Sequence, residues 1–281
     1  MKILVCTNLY KDKDLSVTKG IIDFLSEKNV EVSSLVLQSR ETPITKENVM
    51  GIDVCVVLGG DGTMMRVAKK TCKYSIPLLG INTGHLGFLA QTGVEGISEV
   101  LERLILGDYI LENRIMLKGK VLRNGVSLYE SEALNDICVN RGGKLQILSF
   151  DIYVNNMFLK AYSADGLIVS TPTGSTGYNL SAGGPIVEPA ADMLLLTPIA
   201  AHTFMNRSIL LKSSDEITIE IGEAHDEELG QEVIANFDGQ GSLKLEKGDR
   251  IVIGKSLNCV SFVQMNNVNF LETLNRKLKE D

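Results

Sequence analysis

The run Ile52-Asp53-Val54-Cys55-Val56-Val57-Leu58, followed at once by Gly59-Gly60-Asp61-Gly62-Thr63, constrains this chain more than any other stretch. A short, almost wholly apolar run bounded by a glycine turn fits a strand buried on both faces, the condition of a parallel sheet. The segment Met64–Cys72 that follows can form a helix. A glycine-rich strand-to-helix turn lets main-chain N–H groups approach a phosphate closely, at the positive end of the helix dipole. Asp61 does not fit an anion cradle, because a carboxylate repels phosphate. It fits a base, or a group acting through a metal ion, beside a phosphate under attack. The plainer alternative is a tight turn in which the aspartate accepts local backbone hydrogen bonds. The chain contains neither GxxxxGK[ST] nor GxGxxG, so a P-loop and the usual dinucleotide fingerprint are both absent.

Around this turn the first part of the chain alternates. Ile3–Thr7, Val30–Leu37, Asp53–Leu58 and Ile76–Ile81 read as strands, and Leu15–Glu27 and Gly93–Leu106 as helices. That alternation predicts an α/β domain with a parallel sheet. In such sheets ligands bind beyond the carboxyl ends of the strands. Gly59–Thr63 and Asn82-Thr83-Gly84-His85-Leu86-Gly87 both fall at such ends. From Gly107-Asp108 the character changes to many short strand candidates: Tyr109–Leu122, Leu128–Val139, Leu148–Val154, Met157–Tyr162, Gly166–Thr171, Ile209–Leu211, Glu216–Ile221, Val233–Phe237, Leu243–Leu245 and Arg250–Ser256. Turn-like links join them, and the pattern predicts an all-β, sandwich-like domain. Phe270–Asp281 is polar with Leu271, Leu274 and Leu278 at helical spacing, which predicts an amphipathic helix packed on a domain face. The expected domains are 1–107, with 266–281 returning to it, and 108–265.

Bulk properties narrow the function classes. A hydrophobic fraction of 44% and a charged fraction of 22% over 281 residues fit a globular chain with a sizeable core. The net charge of −7 argues against a general nucleic-acid binder. No apolar run approaches the ~20 residues that span a bilayer, so no membrane partner is expected. The N-terminal segment lacks a long apolar core with a small-residue cleavage site, so no signal peptide is expected. The five cysteines are odd in number and widely spaced, which suits reduced thiols in the cytoplasm. His85, His202 and His225 show no metal-ligand spacing.

Three constellations stand out in the second half. Asn135-Asp136 interrupts the apolar run Ala133–Val139, either as a strand irregularity or as a pair that contacts a ligand through amide and carboxylate. Asp165 precedes a strong strand that opens into the dense loop Ser170–Pro185, in which Tyr178 and Leu180 are embedded. Hydroxyls, main-chain amides and an aromatic ring suit ribose, phosphate and a flat base, whereas an Ω-loop packing on itself is the structural alternative. Asp238-Gly239-Gln240 reads as a hairpin closure. His202 and Arg207 lie in a loop, where a solvated arginine is the commoner outcome than a phosphate contact.

Together these motifs resemble the NAD kinase family. The Gly59–Thr63 turn, Asn82–Phe88, Ala133–Asp136, Asp165–Ser181, Leu196–Ile199 with His202, and Asp238–Gln240 match in the family's order across almost the whole chain. The glycine turn alone is shared with lipid kinases acting on diacylglycerol, and the polar Ser/Thr/Gly loop separates the two. A catalytically silent nucleotide sensor would lack Asp61. The resemblance implies transfer of a phosphoryl group from ATP, or from another nucleoside triphosphate or polyphosphate, to the 2′-hydroxyl of the adenosine ribose of NAD. It implies Asp61 as general base, and Mg²⁺ or another divalent ion carried by the nucleotide near Asp61 rather than held by a dedicated cage. The implied binding residues are Gly60, Asp61, Gly62, Arg66, Asn82, Asn135, Asp136, Ser163, Asp165, Thr173, Thr176, Gly177, Tyr178, Asn179, Leu180, Ser181 and Gln240. A homodimer or homotetramer is implied as well. Relatives often carry Glu at the place of Asp136, Ala at Gly177 and Arg at Ser163. Here the carboxylate is therefore shorter by one methylene, the pocket wall wider, and one charge contact missing.

Overall fold

The structure, a computed structural model, describes residues 1–84, 87–143, 147–202, 206–223, 232–265 and 270–280. The chain divides into two compact units, Met1–Arg114 with Asn258–Asp281, and Ile115–Leu257. The first runs β1 (Lys2–Asn8), α1 (Ser16–Glu27), β2 (Glu31–Leu37), α2 (Lys46–Val49), β3 (Val54–Leu58), α3 (Asp61–Thr71), β4 (Leu78–Ile81) and α4 (Ile97–Leu106). The four strands are parallel in the order β2-β1-β3-β4. Every residue of β3 and β4 is buried, which accounts for their lack of polar alternation. Ile21 and Leu25 of α1 and Val100, Leu101 and Leu104 of α4 join Ile3, Val5, Val54, Val56 and Leu58 in one apolar cluster. Gly107, in the left-handed region at φ 74°, ends α4.

The strand order explains where a ligand could bind. β1 connects to β2 on one side and has β3 on its other, so the carboxyl ends of β1 and β3 flank the point where the winding reverses. Ligands of open α/β sheets bind at such points. Asn8 and Gly59-Gly60 occupy these two ends, and Asn8 Nδ2 donates to Thr63 Oγ1 at 2.9 Å.

The second unit is all β apart from short helical turns. Its elements are the greater part of β5 (Ile110–Arg123), β6 (Val126–Ala133), β7 (Asp136–Arg141), β8 (Leu148–Val154), β9 (Met157–Ala164), β10 (Gly166–Ser170), α5 (Tyr178–Ser181), β11 (Met193–Ile199), β12 (Ile209–Lys212), β13 (Ile217–Ile221), β14 (Val233–Phe237), β15 (Gln240–Leu245) and the first half of β16 (Arg250–Gln264). One antiparallel sheet has the order β12-β11-β10-β7-β14-β15. Opposite it, β16, β13, β8 and β9 pair antiparallel, with the β5–β6 hairpin beside them. Phe150, Ile152, Ile217, Ile219, Ile251 and Ile253 share one core with Ile137, Val139, Leu167, Val169, Leu194 and Leu196. β8 and β13 alternate buried and half-exposed residues, whereas β10 is buried throughout. The second half of β16 lies in the first unit, where Phe262 pairs parallel with Leu78. There α6 (Phe270–Glu280) follows, with Thr273 buried and the Phe270 ring 6.0 Å from that of Phe88.

Several elements differ from the sequence expectation. Leu128–Val139 is two strands, not one, because β6 pairs with β5 while β7 pairs with β10 and β14. The chain passes from one sheet to the other at Leu134-Asn135. The helix expected from Met64 begins at Asp61, with Gly60 as its N-cap. Met193–Ile199 is a strand that carries Pro198, and the last strand runs on to Gln264 rather than stopping at Ser256. The unit boundaries fall inside β5 and β16, seven or eight residues from the positions 107/108 and 265/266 read from sequence.

Gly119 of β5 shows why a strand residue here lacks a side chain. A Cβ at this position would lie 2.6 Å from Ile137 Cδ1 and 2.7 Å from Phe237 Cε1. Gly119→Ala is expected to destabilise the protein by about 1–3 kcal/mol through overpacking, read by chemical denaturation. An unchanged midpoint would contradict this packing.

Candidate active site

In the first unit, the residues singled out at Gly59–Thr63 are gathered at the switch point. Asp61 is the first residue of α3, so its carboxylate stands at the positive end of the helix. The loop after β4 folds against it. The N–H of Phe88 donates to Asp61 Oδ2 at 3.0 Å and that of Leu89 to Oδ1 at 3.3 Å. A Cβ on Gly87 would sit 2.2 Å from Asp61 Oδ1, so only glycine lets this loop approach the acid. His85 and Leu86 of the same motif lie outside the described residues. Burial pushes the Asp61 carboxyl above its usual pKa, against the two amide hydrogen bonds and the charge of Lys277 on α6. The result is a carboxylate held in orientation yet more basic than an exposed one.

Gly60 and Gly62 flank Asp61, and the N–H groups of Thr63 and Met64 donate to the Gly60 carbonyl at 2.8 and 3.1 Å. Asn82 is buried at the end of β4 and its Oδ1 accepts from the N–H of Gly84 at 2.9 Å. Arg66 lies on α3, where its Nη1 donates to the carbonyl of Ser39 and its buried Nε has no partner among the described residues.

In the second unit, Asn135 and Asp136 stand where the chain leaves one sheet for the other. Their main chain is held from two sides. Thr171 donates its N–H to the Asn135 carbonyl at 2.8 Å and its Oγ1–H to the Leu134 carbonyl at 2.6 Å. Ser170 Oγ donates to the Asn135 carbonyl at 3.1 Å, and a Cβ on Gly174 would fall 2.2 Å from that same oxygen. From the other side the Asp238 carboxylate accepts the N–H groups of Leu134, Asn135 and Asp136 at 2.7, 2.8 and 3.1 Å. Asn135 Oδ1 is buried without a partner among the described residues. Burial, followed by repulsion from Asp238, pushes the Asp136 carboxyl up to about 7.

The loop Ser170–Pro185 divides into two kinds of residue. Asn179 is fully buried and occupied within the loop: its Nδ2 donates to the carbonyls of Ser175 and Pro185, each at 3.1 Å, and its Oδ1 accepts from Thr197 Oγ1 at 2.6 Å. Thr173 is likewise buried. Tyr178 and Leu180 are exposed at 42% each, and Thr176 and Gly177 are half-buried, so this stretch of the loop is accessible to a ligand. Burial raises the Tyr178 hydroxyl, which the charges of Asp136 and Asp165 also reach and which hydrogen-bonds Asn140. Asp165 pairs with Arg141 at 3.1 Å. A Cβ at Gly177 would lie 3.3 Å from the Gly174 carbonyl and 3.4 Å from Asn135 Nδ2, so an alanine there would fit after a shift of a few tenths of an ångström. Ser163 contributes its carbonyl to the N–H of His202 at 2.8 Å, Ser181 is exposed at the end of α5, and Gln240 closes the β14–β15 hairpin opposite Phe237. Asp238 at φ 54° and Gly239 at φ 64° give that hairpin its tight turn.

Sequence reading missed Lys277, Arg141 and the role of Asp238. Lys277 gave one signal: it shares a helical stripe with Phe270 and Thr273. Arg141 gave none. Among the described residues no group of three or more His, Cys, Asp or Glu side chains could hold a metal ion.

Comparison with known proteins agrees with this geometry. The model of the ATP-NAD kinase N-terminal domain matches residues 3–109, and that of the ATP-NAD kinase C-terminal domain matches residues 134–265. A NAD kinase of Agathobacter rectalis is 39% identical over 98% of this chain and 97% of its own. One of Lachnospira eligens is 37% identical over 98% of each chain. Among solved structures, a NAD kinase from Archaeoglobus fulgidus in complex with ATP superposes with a TM-score of 0.77 at 28% identity, covering 100% of both chains. Yeast NADH kinase complexed with NADH shares the fold at a TM-score of 0.88 and 24% identity, covering 99% of this chain and 87% of that one. Two domain models in the expected order and relatives matched end to end show that the chain belongs to the NAD kinase family.

Proposed function

We propose that this chain transfers the terminal phosphoryl group of ATP to the 2′-hydroxyl of the adenosine ribose of NAD, with Asp61 as general base. The observation that carries the assignment is the Asp61 carboxylate at the start of α3, fixed by the Phe88 and Leu89 amides and made more basic by burial. A ribose hydroxyl is a poor nucleophile near neutral pH, and a positioned base helps by about 10²–10⁴-fold. The helix N-terminus favours the phosphates of the donor, and Gly62 leaves the main chain open to them. The Asp61 carboxylate, with no metal-ligand cluster found among the described residues, suits a magnesium ion carried on the donor's phosphates, since Mg²⁺ keeps most of its waters and needs few protein ligands. When bound, that ion neutralises phosphate charge.

Asn135 and Asp136 are the residues we assign to NAD, supported by the buried Asn135 Oδ1, which has no partner among the described residues, and by the Asp136 charge that reaches the Tyr178 hydroxyl. Asp165, Thr176, Gly177, Tyr178 and Leu180 would line the base pockets, with Asn179 and Thr173 shaping the loop rather than touching the ligand. Self-association as a dimer or tetramer is part of this reading, supported by Met157 and Phe158, 70% and 59% exposed on edge strand β9. A cytoplasmic setting is supported by the free cysteines, four of them buried. No helix among the described residues is long and apolar enough to cross a membrane.

Asp61→Asn is expected to lower kcat by about 10²–10⁴-fold with little change in NAD affinity. In the unmodified enzyme the acid limb of the rate profile should lie above the ordinary Asp value of 3.8, because the base must be ionised and burial raises it. Near-normal turnover in Asp61→Asn would remove the base from the proposal.

Asp136 gives a paired outcome. Folding raises this carboxyl from 3.8 to about 7, so between those values the native state holds a proton that the unfolded chain has lost. Its contribution therefore destabilises progressively as pH rises through that window, and the penalty is complete above it. Asp136→Asn is expected to weaken NAD binding at pH 8 while stabilising the unliganded protein there by about 2–4 kcal/mol, with little stabilisation near pH 4. Calorimetric melting at the two pH values, with NAD titrations on the same samples, checks both halves.

A further inference from the structure

We propose that Asp238 is a positioning residue for NAD binding: its one carboxylate gathers the N–H groups of Leu134, Asn135 and Asp136 and so fixes where both side chains of the Asn135-Asp136 pair stand. This rests on the assignment of that pair to NAD. The geometry is specific. Two N–H groups reach Oδ1, at 2.8 and 3.1 Å, and a third reaches Oδ2 at 2.7 Å. The bond is reciprocated, since the Asp238 N–H donates to the Asp136 carbonyl at 2.9 Å. The segment it holds is where β6 ends and β7 begins in another sheet, so no regular ladder fixes Leu134 and Asn135. A tight turn is needed for the reach: Asp238 and Gly239 both take positive φ, which turns the acid back over the neighbouring strand. Charge-assisted bonds to main-chain N–H groups are among the stronger hydrogen bonds in proteins.

The same carboxylate acts on Asp136 through its charge. Asp136 is faced by Asp238 from the β14–β15 turn, by the Cys138 thiol on its own strand and by the Tyr178 hydroxyl of α5. Burial pushes the thiol and the hydroxyl up, so both are neutral near pH 7 and Asp238 is the charge that opposes Asp136. Burial is the larger cause of the raised Asp136 carboxyl and the Asp238 charge adds to it, so the titration of Asp136 reports whether that charge stays in place, while NAD affinity reports whether the pair is correctly positioned.

The test is calorimetric titration of the full chain with NAD from pH 5.5 to 9, for the unmodified protein, Asp238→Asn, Asp238→Glu and Asp136→Asn. Asp238→Asn is expected to weaken NAD binding by about ten-fold or more at pH 8, since an amide cannot accept all three N–H groups. It is also expected to move the midpoint of the pH dependence downward. Asp238→Glu keeps the charge and misplaces it, so weaker binding with the midpoint retained is expected. If Asp238→Asn does not fold, the Glu variant decides, and unchanged affinity in it overturns the proposal. A folded Asp238→Asn with unchanged affinity and midpoint overturns it as well. Asp136→Asn separates the two levels: if it binds NAD normally, the assignment of the Asn135-Asp136 pair fails; if it binds weakly while the Asp238 variants bind normally, the role of Asp238 alone fails.

Discussion

Main-chain N–H groups gripping a carboxylate from far along the chain are the interaction on which this architecture depends. Asp61 is held by Phe88 and Leu89, and Asp238 holds Leu134 to Asp136. In each case an acid at the end of one strand meets the backbone of another segment where regular pairing stops. Such bonds tie irregular segments to rigid sheets and leave the functional side chains pointing where the sheets direct them. The first also solves a chemical conflict. The base proposed at Asp61 would have to remain a carboxylate beside phosphate; the amide hydrogen bonds favour the ionised form while burial raises its basicity.

The two units supply different physics. The parallel sheet offers a helix N-terminus and a glycine turn, fitted to anions. The β unit offers carboxylates, amides and a ring at a loop whose polar atoms are partly bonded among themselves. Asp136, raised to about 7 by burial and then by the neighbouring Asp238, is an arrangement that costs the fold stability when both acids are charged.

Much of this was legible in the sequence because it is local. The run Val54–Leu58, the glycine turn and the Ser/Thr/Gly loop declare themselves within a few residues, and their order along the chain carries the family resemblance. What was hidden depends on register. Nothing near Asp238 says that it will meet amides more than a hundred residues earlier, because only the antiparallel pairing of β7 with β14 brings them together. The break at Leu134-Asn135 was masked by apolar residues on both sides, since a strand that changes sheets keeps its hydrophobic pattern. Met193–Ile199 is a strand that carries Pro198 beyond the residues paired with β12, where its one strand neighbour is β10. Arg141 looks like any surface arginine until Asp165 is folded against it.

The internal bonding of Asn179 has a thermodynamic consequence. With its amide tied to Ser175, Pro185 and Thr197, and with Ser175 and Val187 bonded to one another in both directions, the loop has its shape before any ligand arrives. A segment already ordered loses little conformational entropy on association, so under the proposed function any ligand contact at Tyr178 would be offset little by ordering of the loop. The glycines of this loop permit close approach: a Cβ at Gly174 would meet the Asn135 carbonyl and one at Gly184 the Asn179 amide, each at 2.2 Å.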